Sequence, residues 1–165
     1  MDDATGNPEP RAIAQVRRAL AAAGLAARIV QMPASTRTAE EAAAACRCDV
    51  AQIVKSLVFR GGASGEPLLL LVSGRNRVDT AKVAATIGEA LTRPDAQFVR
   101  DVTGFAIGGI PPLGHAEPLA TFIDEDLLQY ETVWAAAGTP RHIFPVSPAD
   151  LLRVTGATPG AFTEN

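Results

Sequence analysis

The chain of 165 residues contains few of the side chains that form disulfides or bind metals in small proteins, since it has only two cysteines and two histidines. One residue separates Cys46 from Cys48, and cysteines this close rarely form a disulfide. A zinc site needs four ligands, and His115 and His142 do not supply the paired spacing of zinc motifs. We therefore expect two free thiols, as in a reducing compartment, and no metal site.

The sequence also lacks long apolar runs and a recognisable targeting segment. Stretches such as 68–72 are far shorter than the roughly 20 apolar residues of a membrane span, and residues 1–4 carry no basic or apolar leader. With 47% hydrophobic and 20% charged residues, the composition excludes general disorder. We expect a cytoplasmic protein without membrane contact, forming one domain over 1–165 with a loosely ordered tail at 157–165.

The net charge of −3 hides an uneven distribution and excludes a basic arm that wraps nucleic acid. Residues 47–100 carry eight basic and five acidic side chains, a balance of +3. Residues 101–131 carry six acidic side chains and no lysine or arginine, a balance of −6. The basic segment can steer a polyanion to one face, or the two segments can pair within the fold.

Local patterns predict helices and strands that are interleaved without strict alternation. Helices are predicted to begin at the capping residues Asn7 (followed by Pro8), Thr38, Asp49, Asp79 and Ser147. Strands are predicted at 27–31, 53–59, 68–72, 97–100, 119–123, 133–135 and 142–146. A hairpin loop at 61–65 and successive strands late in the chain favour an α/β fold with a mixed sheet.

Lys55 is one of only two lysines beside thirteen arginines, and it interrupts the apolar segment 52–59. Because side chains alternate along a strand, it can simply face solvent from a half-buried strand. It can equally project into a cleft as a fixed positive charge that binds a phosphate, a carboxylate or a polarised carbonyl.

The segment 103–115 combines four glycines with two prolines and cannot form a regular helix or a central strand. A rigid loop of this kind can aim backbone amides at an oxygen that becomes negative during acyl transfer. The alternative is a tight structural connection. His115, which follows the loop, can act as an acid, a base or a hydrogen-bond donor, or serve only a structural role.

The segment 73–79 lies between a predicted strand and a predicted helix but lacks a Walker or dinucleotide-binding pattern. Arg75 and Arg77 within it can contact a nucleic-acid backbone or remain solvated. The acidic trio 124–126 is most simply the cap of a helical turn. The chain also lacks a G-x-S-x-G elbow and a Ser-His-Asp order.

Taken together, the segments 53–59, 73–79, 103–115 and 147–152 resemble the YbaK/ProX family of aminoacyl-tRNA deacylases, the prolyl-tRNA synthetase-associated editing domains. The resemblance covers about residues 9–156. It implies a free-standing α/β domain with a curved mixed sheet wrapped by helices. It also implies hydrolysis of the ester that links a wrong amino acid to the terminal adenosine of a tRNA, without metal or other cofactor.

By this resemblance Lys55, Gly108 and Gly109 correspond to the catalytic lysine and to the loop that positions the carbonyl or the attacking water. Substrate-binding roles are expected by the same resemblance for Met32, Ser56, Asn76, His115 and Gly138. The chain departs from the family at 31–33, where many members carry a histidine or tyrosine, and at 135–138, where some carry a serine. The amino acid removed therefore stays open among alanine, serine, threonine and cysteine.

The resemblance predicts trans-editing of misacylated tRNA, with the tRNA acceptor end as partner, an aminoacyl-tRNA synthetase as a further candidate partner, and no DNA. The open alternative is a non-catalytic module on the same fold that binds a tRNA end, a nucleotide or a protein. A hydrolase acting on another small ester is a third candidate.

Overall fold

The computed structural model describes residues 9–164, which form five α-helices, two short 3-10 helices and eight strands. The α-helices are α1 (Arg11–Ala22), α2 (Ala39–Cys46), α3 (Thr80–Ile87), α4 (Ala96–Thr103) and α5 (Pro148–Thr155). The strands are β1 (Val30–Gln31), β2 (Val54–Gly61), β3 (Pro67–Ser73), β4 (Leu91–Thr92), β5 (Ala120–Asp124), β6 (Val133–Ala136), β7 (His142–Val146) and β8 (Thr158–Gly160). The 3-10 helices are Val50–Gln52 and Glu125–Gln129.

The strands form two sheets, with the orders β1-β7-β6 and β4-β2-β3-β5-β8. In the larger sheet β2 and β3 make the predicted antiparallel hairpin, whereas β5 runs parallel to both β3 and β8. A parallel bridge between Ile53 and Trp134 links the two sheets. The predicted α/β class with a mixed sheet is confirmed, although the strands divide between two sheets.

Strand β3 is the centre of the core because its apolar residues are buried on both faces. Leu69 and Leu71 pack into one cluster with α1, while Leu70 and Val72 pack into another with Val83 of α3. All four β3 residues have no exposed surface, as expected for a continuous apolar run covered on both sides. This buried strand gives its neighbour β2 a fixed position.

The predicted helix caps agree with the structure wherever it describes them. Thr38 and Asp49 each form a complete capping box, and Asp79 and Ser147 accept bonds from backbone amides of their helices. Asn7 and Pro8 lie outside the described residues, within which α1 begins after Pro10.

Two expectations are wrong. Residues 97–100 form part of helix α4, because the Asp95 side chain caps it at the amide of Phe98 and Val99 and Val102 are buried at helical spacing. The tail expected to be loose contains strand β8, and its Phe162 is 3% exposed in the α3-side cluster. Parallel pairing with β5 and burial of this ring hold the tail in place.

Candidate functional site

A cleft of about 500 Å³ opens where α2 meets the first residues of β2. Ala42 and Ala43 of α2 pack there against Ile53 and the partly buried Trp134. The lining comes from 36–40 and Ala42, from 53–57, from Gly74, from residues 107, 108 and 110, and from 134–136 with Ile143. The cleft is therefore built by both sheets, one helix and the glycine-rich loop.

Lys55 lies in this lining, on β2 opposite Val72 of β3. Its Nζ donates a hydrogen bond of 2.5 Å to the main-chain carbonyl of Asn76. An ammonium has three donors, so two remain for a ligand. Burial lowers the pKa of Lys55. The charges of Glu40 and Asp124 oppose this shift, and the charge of Arg77 adds to it. Within residues 9–164 no carboxylate lies within ion-pair distance of Lys55, so its charge is not locally neutralised.

Ser56, the next residue, also lines the cleft. Its Oγ is buried, and no atom of the described chain accepts from it or donates to it. Buried polar atoms normally have a partner, so this hydroxyl is an exception among the described residues, and its neighbour Lys55 points to the opposite face of the strand.

The two loop glycines have different environments. Gly108 lines the cleft, and its amide donates to no atom within residues 9–164. The amide of Gly109 instead donates to the carbonyl of Ala106 at 3.2 Å, and its carbonyl accepts from the amide of Gly138 at 2.9 Å. Gly109 therefore holds the loop through two main-chain hydrogen bonds, whereas the Gly108 amide has no partner among the described residues.

The remaining predicted substrate-binding residues lie outside the cleft lining. Met32 donates its amide to the carbonyl of Arg141, and Gly138 supports the loop through Gly109. Asn76 meets the site only through the carbonyl that holds Lys55. Direct substrate contact by these three residues stays a prediction.

His115 lies in a second, open cleft of about 400 Å³ with residues 112–119. Its Nε2 donates to the carbonyl of Pro111 at 2.8 Å, and its ring meets Phe105 edge-on. Burial lowers the pKa of His115, with the Pro111 bond opposing, which favours the neutral ring. The predicted role of His115 in substrate binding therefore stays a prediction, separate from the Lys55 cleft.

Sequence reasoning assigned no site role to most of the cleft lining, including Arg37, Glu40, Ile107 and Trp134. Glu40 carried only an ambiguous signal, since the capping box uses Glu41 but an acid in the first turn of α2 also suits the helix dipole. Ile107 is the only large apolar side chain exposed among the described residues, at 52%. Arg37 and Trp134 reach the cleft through folding of distant segments, which local patterns do not show.

The described residues contain three ion pairs, Arg17–Glu9, Arg75–Asp49 and Arg153–Asp150. None of these pairs joins the basic segment 47–100 to the acidic segment 101–131. Within the described residues, the expected pairing of the two segments by ion pairs is therefore absent. Within residues 9–164 we find no group of three or more potential metal ligands and no helix able to cross a membrane.

The fold is an α/β domain with a cleft lined by Lys55 and Gly108, and no carboxylate lies within ion-pair distance of that lysine among residues 9–164. Over residues 33–154 the chain matches the family described as the aminoacyl-tRNA editing domain. It belongs to this family, which confirms the resemblance noted in the sequence and places its function in the editing of mischarged tRNA.

Relatives and solved structures agree with this membership. YwhH of Bacillus subtilis, described as uncharacterized, is 30% identical over 124 residues, which are 74% of this chain and 78% of YwhH. EbsC of Enterococcus faecalis, named a "putative Cys-tRNA(Pro)/Cys-tRNA(Cys) deacylase", is 26% identical over 77% of this chain and 76% of its own length. A crystal structure described as "a putative trans-editing enzyme for prolyl tRNA synthetase" is 47% identical with a TM-score of 0.90, covering 95% of this chain and 99% of its own.

Proposed function

We propose that this domain hydrolyses the ester of misacylated tRNA carrying a small amino acid, with Lys55 and the Gly108–Gly109 loop at the reacting centre. The observation that carries the proposal is one cleft lined by an ammonium without a carboxylate partner and by Gly108, whose amide has no hydrogen-bond partner among residues 9–164. Both groups can donate to oxygen, which suits a site for a carbonyl that becomes an oxyanion.

In the proposed reaction a water oxygen attacks the ester carbonyl carbon and the carbonyl oxygen becomes negative. Lys55 and the Gly108 amide stabilise that oxyanion. The bond between this carbon and the ribose oxygen then breaks, and the ribose oxygen takes up the proton lost by the water. The products are a free amino acid and a tRNA with a free terminal hydroxyl.

The substrate itself can carry the proton between the two oxygens, through its α-amine or the neighbouring ribose hydroxyl. An aminoacyl ester is already activated, so positioning and oxyanion stabilisation supply much of the required rate. Lys55 acts here as a fixed charge rather than as a base. Burial lowers its pKa, and the charges of Glu40 and Asp124 partly offset that effect.

Small amino acids are supported by the cleft lining, where Ala39, Ala42 and Ala136 lie beside Trp134 and Ile143. Such a lining admits a short side chain and hinders a long one, as in the second sieve of an editing system. The name of EbsC points to cysteine and the trans-editing neighbour to prolyl-tRNA synthetase. A tRNA acceptor end is the proposed partner, with a synthetase as a further candidate.

The test is a panel of tRNAs charged with alanine, serine, threonine, cysteine or proline, incubated with the wild type, Lys55→Ala and Lys82→Ala. Lys82 is the matched control because it is the other lysine and donates to the carbonyl of Thr163, away from the cleft. We expect faster ester loss with the wild type and Lys82→Ala, and near-spontaneous loss with Lys55→Ala.

Two outcomes contradict different parts of the proposal. If no charged tRNA loses its amino acid faster than it does spontaneously, deacylation is wrong, and binding of uncharged tRNA would then favour the non-catalytic module. If Lys55→Ala keeps full activity, deacylation stands and the site assignment is wrong.

A further inference from the structure

A buried carboxylate lies behind Lys55, at the place where two parallel strands end. Ser73 closes β3 and Asp124 closes the adjacent β5, so their carboxyl ends lie side by side. Asp124 is only 2% exposed. Its Oδ2 accepts from the Ser73 amide at 3.1 Å, and its Oδ1 accepts from the Asp126 amide at 2.9 Å.

The same carboxylate holds the side chain of Asn76. The side-chain Nδ2 of Asn76 donates to Oδ2 of Asp124 and to Oδ2 of Asp126, both at 2.8 Å. The main-chain N–H of Asn76 donates to the carbonyl of Ser73 at 2.9 Å. These bonds fix the peptide whose carbonyl accepts from Lys55 Nζ. A continuous chain of contacts thus runs from Asp124 through Asn76 to the ammonium.

A lysine on a flexible four-carbon stem needs such a partner to hold its charge at one point. The partner is a main-chain carbonyl, which leaves the charge free for a ligand, whereas a carboxylate in direct contact would neutralise it. The charged groups that act on Lys55 are Glu40 from α2, Arg77 from the loop after β3 and Asp124 from the end of β5.

We infer that Asp124 is a positioning residue for the editing reaction, because it orients Asn76 so that the Asn76 carbonyl holds the Lys55 ammonium at the cleft. The inference rests on the proposed function. As the cap of a helical turn, Asp124 needs only its Oδ1 bond to Asp126, and the Oδ2 bonds to Ser73 and Asn76 exceed that task.

The variant Asp124→Asn preserves size but removes the charge and one acceptor. Three N–H groups donate to the two carboxylate oxygens of Asp124. In the variant, a side-chain NH2 group replaces one of these oxygens, so it must face at least one N–H donor with which it cannot form a hydrogen bond. We expect Asn76 to shift and kcat to fall by about tenfold to a hundredfold, the usual cost of a small misplacement in an active site. KM should change much less.

The two-lysine composition allows a readout that does not depend on activity. In ¹⁵N NMR the Nζ of Lys55 and Lys82 give two side-chain signals, assigned with Lys82→Arg, and each can be titrated. In Asp124→Asn the Lys55 titration should move to lower pH, because a carboxylate that favours its charged form has been removed.

Asp150→Asn is the matched control, since Asp150 is an exposed carboxylate of α5 paired with Arg153. It should leave kcat and the Lys55 titration unchanged. If Asp124→Asn does not fold, Asn76→Ala replaces it, because Asn76 is partly exposed in a loop. This variant should lower kcat in the same way and shift the Lys55 titration less, since the Asp124 charge remains.

The outcomes separate this inference from the proposed function. If wild-type deacylation is present and the variant that folds leaves both kcat and the Lys55 titration unchanged, Asp124 is not a positioning residue. If Asp124→Asn and Asn76→Ala both move the Lys55 titration while the wild type deacylates no tRNA, the contact chain stands and the proposed reaction is wrong. A loss of stability with an unmoved Lys55 titration identifies a purely structural role and overturns the inference.

Discussion

Replacing Gly108 by alanine separates the proposed catalytic role of the loop from its structural role. Gly108 has a φ of +104°, in the region that L-residues rarely adopt. A Cβ added there would lie 2.8 Å from Nε and 3.1 Å from Cγ of Arg37. Because the Arg37 side chain is exposed and flexible, it can move away, but it also lines the cleft. The substitution therefore strains the loop and displaces a side chain at the site.

The cost in stability follows from the backbone. Left-handed conformation in a residue with a Cβ costs roughly 1–2 kcal/mol. The matched control is Gly88→Ala, because Gly88 ends α3 at a φ of +86° and a Cβ there would have no atom within 4 Å. Both variants should therefore lose about 1–2 kcal/mol, and in a domain of this size each kcal/mol lowers Tm by roughly 2–4 °C.

The two variants should differ in activity. With charged tRNA as substrate, Gly108→Ala should lose about tenfold to a hundredfold in kcat, since the amide and Arg37 both move, while Gly88→Ala should match the wild type. Thermal denaturation and single-turnover deacylation measure the two effects. Wild-type kcat in Gly108→Ala would refute the placement of this amide at the reacting centre. Equal loss in Gly88→Ala would show that activity follows stability alone.

Two further predictions concern the cleft acid and the C-terminal tail. Burial lowers the pKa of Lys55, whereas the charge of Glu40 raises it, so Glu40→Gln should move the alkaline fall of the pH–rate profile to lower pH. The same variant should raise KM if Glu40 balances the substrate α-ammonium. An unchanged profile and KM would exclude both effects. Phe162→Ala removes a buried ring that meets Phe122 edge-on at 5.7 Å, so urea denaturation should show a loss of about 3–5 kcal/mol with activity preserved. Phe98→Ala, at a partly exposed ring, should cost much less, and equal losses would contradict docking of the tail.

The parts of the fold that sequence predicted are those fixed by local chemistry. Thr38 and Asp49 form capping boxes that each span four residues, and the hairpin of β2 and β3 follows from a glycine-rich loop between two apolar runs. Residues 97–100 were misassigned because four residues are too few to separate period 2 from period 3.6. The tail was misassigned because its order depends on pairing with β5, a partner more than thirty residues earlier in the chain.

The candidate site shows the same division. Lys55 stood out because lysine is rare in this chain, and the loop 103–115 stood out because glycine is concentrated there, while Gly108 within it was assigned by the family resemblance. Asp124 was explained as a helix cap, which it is, but its bonds to Ser73 and Asn76 arise only when β3 and β5 lie in parallel. A sequence pattern identifies the local role of Asp124 as a cap, and only the fold shows that the same carboxylate also accepts bonds from Ser73 and Asn76.

Under the proposed function, the contact chain also accounts for a lysine at position 55 in a chain with thirteen arginines. An ammonium is a compact charge that one carbonyl can hold, as that of Asn76 does, while two donors stay free. A guanidinium is planar, spreads its charge over a fork of five donors and suits a flat anion such as a phosphate or a carboxylate. The oxygen of a tetrahedral ester intermediate is a single point of charge, and a compact ammonium beside one backbone amide is the better match for it.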